Sequence, residues 1–139
     1  MMQRGVEALG SNSLSRILLA DDEPDILEIS KIALETVGGF EVEVCDSGRE
    51  LLQRLSEFKP DLVIIDFLMP DMAGLDVLRG VRHVPGFETT PVVFLTGVIR
   101  GHDLEILRES GAADVILKPF DPMALADRVS GIWNTAHDQ

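Results

Sequence analysis

Short apolar blocks alternate along this chain with longer stretches in which apolar residues recur every three or four positions. The first block, Ile17-Leu18-Leu19-Ala20, stops at the acids Asp21-Asp22-Glu23, which reads as a strand ending in polar residues. Pro24 suits the first turn of a helix, and Ile26, Ile29, Ala33 and Val37 supply an apolar stripe that closes at Gly38-Gly39. Phe40 to Cys45 alternates apolar and polar, as a half-buried strand does. Ser47 with Glu50 predicts a capping box at the start of a helix that carries Leu51, Leu52, Leu55 and Phe58 and stops at Lys59-Pro60. Leu62-Val63-Ile64-Ile65 and Val92-Val93-Phe94-Leu95 are continuous apolar runs, the signature of strands buried on both faces. A helix through Leu75, Val77, Leu78 and Val81 lies between them, followed by a connector framed by Pro85-Gly86 and Pro91. Beyond them the pattern predicts a helix from Asp103 to Ser110, a strand Val115-Ile116-Leu117 and a last helix from Pro122 through Leu125, Val129 and Trp133. Five strand–helix units in series imply an α/β domain, a parallel sheet covered by helices on both faces.

Composition narrows the class. The chain has 139 residues, 45% hydrophobic and 26% charged, the make-up of one globular domain. The expected boundaries are a flexible segment 1–15, a folded domain 16–135 and a short tail 136–139. Asp and Glu number 24 against 12 Lys and Arg, a net charge of -12, which argues against direct contact with nucleic acid or anionic membrane. Cys45 is the single cysteine and reads as a small core residue, so no internal disulfide forms. His83, His102 and His137 lie too far apart in sequence to suggest a local ligand set. No apolar run approaches the ~20 residues of a membrane span, and Met1 to Ser15 has no apolar leader core. These features place the protein in the cytoplasm.

Candidate chemistry gathers at the carboxyl ends of the strands, where open parallel sheets carry their sites. Strand one ends in Asp21 and Asp22, strand three in Asp66, strand four in Thr96 and strand five in Lys118. Two carboxylates ~4 Å apart repel by ~4 kcal/mol at an effective dielectric of ~20, so three of them require a cation. Oxygen ligands of this kind suit Mg2+, with Mn2+ also admissible. A cation, an ammonium and a hydroxyl around one carboxylate form a receptacle for phosphoryl oxygens, and a carboxylate can itself accept the phosphoryl group. Taken singly, each residue is as well explained by a helix cap or a solvated turn; the joint placement is what carries the reading.

The combination of Leu19-Ala20-Asp21-Asp22-Glu23, Asp66-Phe67-Leu68-Met69-Pro70-Asp71-Met72-Ala73-Gly74, Thr96-Gly97 and Gly111-Ala112-Ala113-Asp114 leading to Lys118-Pro119-Phe120 resembles a response regulator receiver domain. The resemblance runs from about Arg16 to Trp133. It implies a flavodoxin-like (βα)5 three-layer sandwich with strand order 2-1-3-4-5. It implies Asp66 as phosphoacceptor, Mg2+ held by Asp21, Asp22, Asp66 and the Leu68 backbone carbonyl, Lys118 against the phosphoryl group and Thr96 as the switch. Gly97 and Val98, with Leu68, would form the rim. It further implies a histidine kinase or phosphotransfer protein as donor and a downstream protein target reached through the fourth helix, fifth strand and fifth helix. A homodimer is compatible with such a face. On this reading the chain is not an enzyme beyond transfer to, and slow loss from, its own aspartate.

Two positions depart from the family's habit. Val115, three residues before Lys118, stands where an aromatic gate is usual, and Leu68 stands where a polar residue is frequent. The same residues admit two other readings: a receiver cut from a larger regulator or hybrid kinase, and a Mg2+-dependent phosphatase with an aspartyl nucleophile. The phosphatase wants a second acid two residues after the nucleophile, and Leu68 occupies that position. A flavin-binding flavodoxin relative is disfavoured, because Asp21-Asp22-Glu23 would repel a phosphate in the first loop. Leu68 and Val98 cannot hydrogen-bond an attacking water, so self-hydrolysis of an Asp66 phosphate is expected to be slow. Phosphoryl loss in excess Mg2+ should be faster in Leu68→Asn/Val98→Glu than in the native chain; equal rates would refute a rim-limited reaction.

Overall fold

The computed structural model describes residues 13–97 and 101–137. Its ten elements alternate as predicted: β1 Arg16–Ala20, α1 Pro24–Thr36, β2 Glu41–Cys45, α2 Gly48–Phe58, β3 Leu62–Asp66, α3 Gly74–His83, β4 Val92–Thr96, α4 Gly101–Glu109, β5 Asp114–Leu117 and α5 Pro122–His137. All strand pairs are parallel, and the order across the sheet is β2-β1-β3-β4-β5, the flavodoxin-like topology. Crossing the sheet, Leu19 pairs with Ile64 and Ile64 with Val93, which places the carboxyl ends of β1, β3 and β4 side by side.

The continuous apolar strands are explained by two cores. Alternate residues point to opposite faces. Leu18, Val63, Ile65, Val92 and Phe94 face α2, α3 and α4, where they meet Leu51, Leu55, Val77, Val81 and Leu107. Ile17, Leu19, Ile64, Val93 and Leu95 face α1 and α5, where they meet Leu34, Leu125, Val129 and Trp133. Burying one such side chain stabilises the fold by about 1.5–3 kcal/mol, so β1, β3 and β4 anchor both layers. The β5 edge is less covered: Leu117 is 53% exposed.

One predicted stripe holds only in part: Ile26 and Ala33 pack toward the core, but Ile29 and Val37 do not. On α1 the buried residues are Ser30, Ala33 and Leu34, while Ile29 and Val37 are exposed at 43% and 44%. Apolar residues occur on more than one face of this helix, so spacing alone did not choose between them. The face that wins carries small Ser30 and Ala33 beside Leu34, which allows close packing on the sheet and α5.

Local chemistry sets the element ends. Gly39 adopts φ +73° after α1, and Lys59 takes a left-handed φ of 57° at the end of α2 before Pro60. Ser47 Oγ accepts from the Glu50 amide at 3.1 Å, while Glu50 Oε1 accepts from the Asp46 amide, one residue upstream of the cap itself. A further cap was not legible in the sequence. Asp71, in the loop after β3, accepts from the Gly48 and Arg49 amides at 3.0 and 2.9 Å and so ties that loop to the start of α2. In the same loop Gly74 has no room for a side chain, since a Cβ would lie 2.9 Å from Phe94 Cε1 and 3.0 Å from Phe67 Cα.

Slight burial raises the Asp71 carboxyl, but the amides of Arg49 and Gly48 outweigh it and hold it below the usual carboxylate range. A depressed carboxyl stabilises the fold above its unfolded-state value and loses that contribution as pH falls through the folded one. Asp71→Ala should therefore cost about 0.5–2 kcal/mol in urea denaturation at pH 7, and the gap to the native chain should close in acid. A gap that is unchanged at low pH would show that the carboxylate is not the cap.

Candidate functional site

The sheet brings four of the five strand ends together. Asp21 follows β1, its amide donating to the Cys45 carbonyl at 3.1 Å, and its side chain is fully buried. Asp66 is the last residue of β3 and 5% exposed; Thr96 closes β4 at 1%. The Lys118 amide donates to the Thr96 carbonyl at 2.8 Å, so β5 delivers Lys118 beside them, with its side chain 11% exposed. Asp22 and Glu23 are exposed above this floor. Carboxylate oxygens of Asp21, Asp22, Glu23 and Asp66 lie within 4.8 Å of one another.

One ammonium serves three of these acids. Lys118 Nζ lies 2.8 Å from Asp21 Oδ2, 3.0 Å from Glu23 Oε2 and 3.7 Å from Asp66 Oδ2. The Glu23 amide donates to Asp21 Oδ1 at 2.9 Å and the Leu68 amide to Asp66 Oδ1 at 3.3 Å. Asp21 Oδ2 is buried, and the Lys118 ammonium 2.8 Å away is its charged partner. Burial, then the charge of Asp21, pushes the Asp66 carboxyl up to about 7, against the Leu68 amide and Lys118. Burial pulls the Lys118 ammonium down, but its contacts with Asp21, Glu23 and Asp66 outweigh this and hold it above the usual lysine range. Asp66 is the farthest of the three acids from Nζ.

This is an under-neutralised oxygen site. Four acids whose carboxylate oxygens lie within 4.8 Å of one another, with the Lys118 ammonium against three of them, fit a hard cation with oxygen ligands. Asp21, Asp22, Asp66, Thr96 and Lys118, all singled out in the sequence, converge here. Leu68, two residues after Asp66, is 65% exposed. Gly97 adjoins Lys118, where a Cβ would lie 4.0 Å from Lys118 Cβ. Val115 is partly buried on β5 and pairs in register with Phe94, two steps along the strands from the Thr96–Leu117 pair. Val98, expected at the rim, lies outside the described residues. Glu23 was missed as a participant: in sequence it reads as a helix-cap acid, yet it makes no side-chain cap bond and reaches Lys118 instead. Its signal was the third acid in an unbroken run after the first strand.

The comparisons with known proteins fall on the same residues. Residues 17–130 match the response regulator receiver domain family. The DNA-binding response regulator MtrA of Mycolicibacterium smegmatis is 40% identical over 114 residues, covering 82% of this chain and 48% of that protein. The chain thus spans about half the length of that curated relative. Among solved structures, the receiver domain of a signal transduction histidine kinase from Syntrophus aciditrophicus aligns with TM-score 0.76 and 34% identity, over 90% of this chain and 94% of that one. The chemotaxis response regulator CheY4 of Vibrio cholerae aligns with TM-score 0.79 and 28% identity, over 86% and 99%. With the topology, the acidic cluster and the family match in agreement, the chain belongs to the response regulator receiver domains of two-component signalling.

Proposed function

We propose that this chain is the phosphoacceptor of a two-component phosphorelay in the cytoplasm, taking a phosphoryl group from a histidine kinase or phosphotransfer protein onto Asp66. The observation that carries the reading is the placement of Asp66 beside Asp21, Thr96 and Lys118 at the carboxyl edge of the sheet. Asp21, Asp22 and Asp66, with the Leu68 carbonyl, would hold Mg2+. Bound there, the ion supplies positive charge that keeps Asp66 ionised and offsets the charge of incoming phosphoryl oxygens.

The remaining chemistry belongs to the chain. An Asp66 carboxylate oxygen attacks phosphorus in line with the departing donor nitrogen; the new O–P bond forms as the N–P bond breaks, and the histidine leaves with its electron pair. Lys118 neutralises phosphoryl oxygen charge, and the Thr96 hydroxyl offers the donor that couples occupancy to the loop after β4. The switched face is α4, β5 and α5. Grooves of about 410 and 300 Å3 flank β5 there, lined by Leu107 and Val115 on one side and by Phe120 and Arg128 on the other. With Val115 in place of an aromatic gate, backbone movement rather than ring rotation carries the change. Output is a change of protein contacts, and the charge of -12 keeps this domain itself off DNA.

Acetyl phosphate with Mg2+ should add one phosphoryl group, read as intact mass, and Asp66→Asn or chelation should abolish it; a gain that survives Asp66→Asn would overturn the assignment. The raised Asp66 carboxyl has a second consequence. A group protonated more readily when folded loses stability as pH rises from its unfolded value of 3.8 to its folded value of about 7. In chelator, Asp66→Asn should therefore be more stable than the native chain at pH 8, by on the order of 2 kcal/mol, and nearly equal to it at pH 4. No pH dependence of that difference would show that Asp66 is not strained by its neighbours.

A further inference from the structure

Lys118 has a third anionic partner that phosphoryl capture does not need. Glu23 Oε2 accepts from Lys118 Nζ at 3.0 Å, closer than Asp66 at 3.7 Å. The Glu23 side chain is 58% exposed, whereas that of Lys118 is 11% exposed. The ammonium is thus confined at the floor of the site and tethered by a partner that can swing away into water at little cost. Glu23 sits at the helix N-cap position but makes no cap bond, so its carboxylate is not needed by α1. Asp21 is buried and hydrogen-bonded through Oδ1, and it stays fixed.

We propose that Glu23 is a positioning residue that holds Lys118 away from Asp66 in the resting site, and that the Glu23–Lys118 pair opens when a phosphoryl group occupies Asp66. This rests on the phosphoacceptor reading above and adds a residue to it. An ammonium drawn to a phosphoryl oxygen on Asp66 must move toward the acid now farthest from it, and the exposed pair is the contact that yields. Glu23 therefore sets a threshold: its charge weakens the hold of Lys118 on the acyl phosphate until that group's charge outcompetes it. Removing the charge but keeping the shape, Glu23→Gln, releases the ammonium.

Two measurements decide this. The chain has only three lysines, Lys31, Lys59 and Lys118, so 15N-lysine labelling gives three ammonium signals, assigned by Lys118→Met. In the metal-free resting chain, Glu23→Gln should shift the Lys118 signal and leave those of Lys31 and Lys59 in place; an unmoved Lys118 signal overturns the proposal without reference to any phosphorylation. With saturating Mg2+, beryllofluoride should bind Glu23→Gln about two- to five-fold more tightly than the native chain. In a Lys118→Met background that gain should vanish, because Glu23 acts through the ammonium. A gain of equal size without Lys118 means that Glu23 merely repels the anion, and it too overturns the proposal. If native chain binds no beryllofluoride while Lys118 still responds to Glu23→Gln, the phosphoacceptor reading fails and the resting ion pair stands.

Discussion

Asp21 and Asp66 are buried carboxylates at the ends of adjacent strands, and their repulsion is offset by a single ammonium, Lys118, which both share with Glu23. Every part of the site follows from that imbalance. Charge is short by more than one unit, so the site attracts a cation and resists full ionisation without one. The same shortage lifts the Asp66 carboxyl to about 7, since burial and Asp21 together outweigh Lys118. A fold built only for stability would replace these acids with apolar residues. Their presence at the carboxyl edge of the sheet therefore costs stability in the absence of a cation.

The sheet is what makes this arrangement tolerable. β1, β3 and β4 are buried on both faces, and their register sets Leu19 beside Ile64 and Ile64 beside Val93. Strand ends held in this way cannot drift apart to relieve repulsion, so the acids stay within reach of one another. The loop after β3 is likewise restrained. Asp71 bonds the first amides of α2, and Gly74 lets the backbone pass against Phe67 and Phe94. The rigid side of the molecule therefore surrounds Asp66, and the more weakly covered side lies at β5, where Leu117 is exposed.

That asymmetry suits a switch. Thr96 stands at the boundary, on a buried strand and next to the ladder that carries β5, and the Lys118 amide is bonded to its carbonyl. On the proposed function, a change in what the Thr96 hydroxyl and the Lys118 ammonium contact would be transmitted to β5 and the helices beside it. Such a transition is a bias between two arrangements of one fold.

Much of this was legible in the residues. Period-two and continuous apolar runs placed the five strands, and polar residues immediately after each run located Asp21, Asp66, Thr96 and Lys118 at the strand ends. Chain connectivity is enough for that, because strand direction and the position of a residue at a strand's end are local properties. The buried face of α1 was legible only in part: Ile26 and Ala33 of the predicted stripe pack, but Ile29 and Val37 are exposed and Ser30 and Leu34 are buried in their place. A helix with apolar residues on several faces leaves its rotation to whatever it packs on. Nor could the sequence show that Asp71 caps α2, 22 residues or more away, or that Glu23 reaches Lys118 across 95 positions. Both are contacts between charged groups whose partners are chosen by distance in space, and electrostatic attraction carries no sequence period. The sequence by itself determined which groups stand at the sheet's edge; only the tertiary structure decided how one ammonium is divided among three acids, because that division depends on ångström differences that strand register and packing impose.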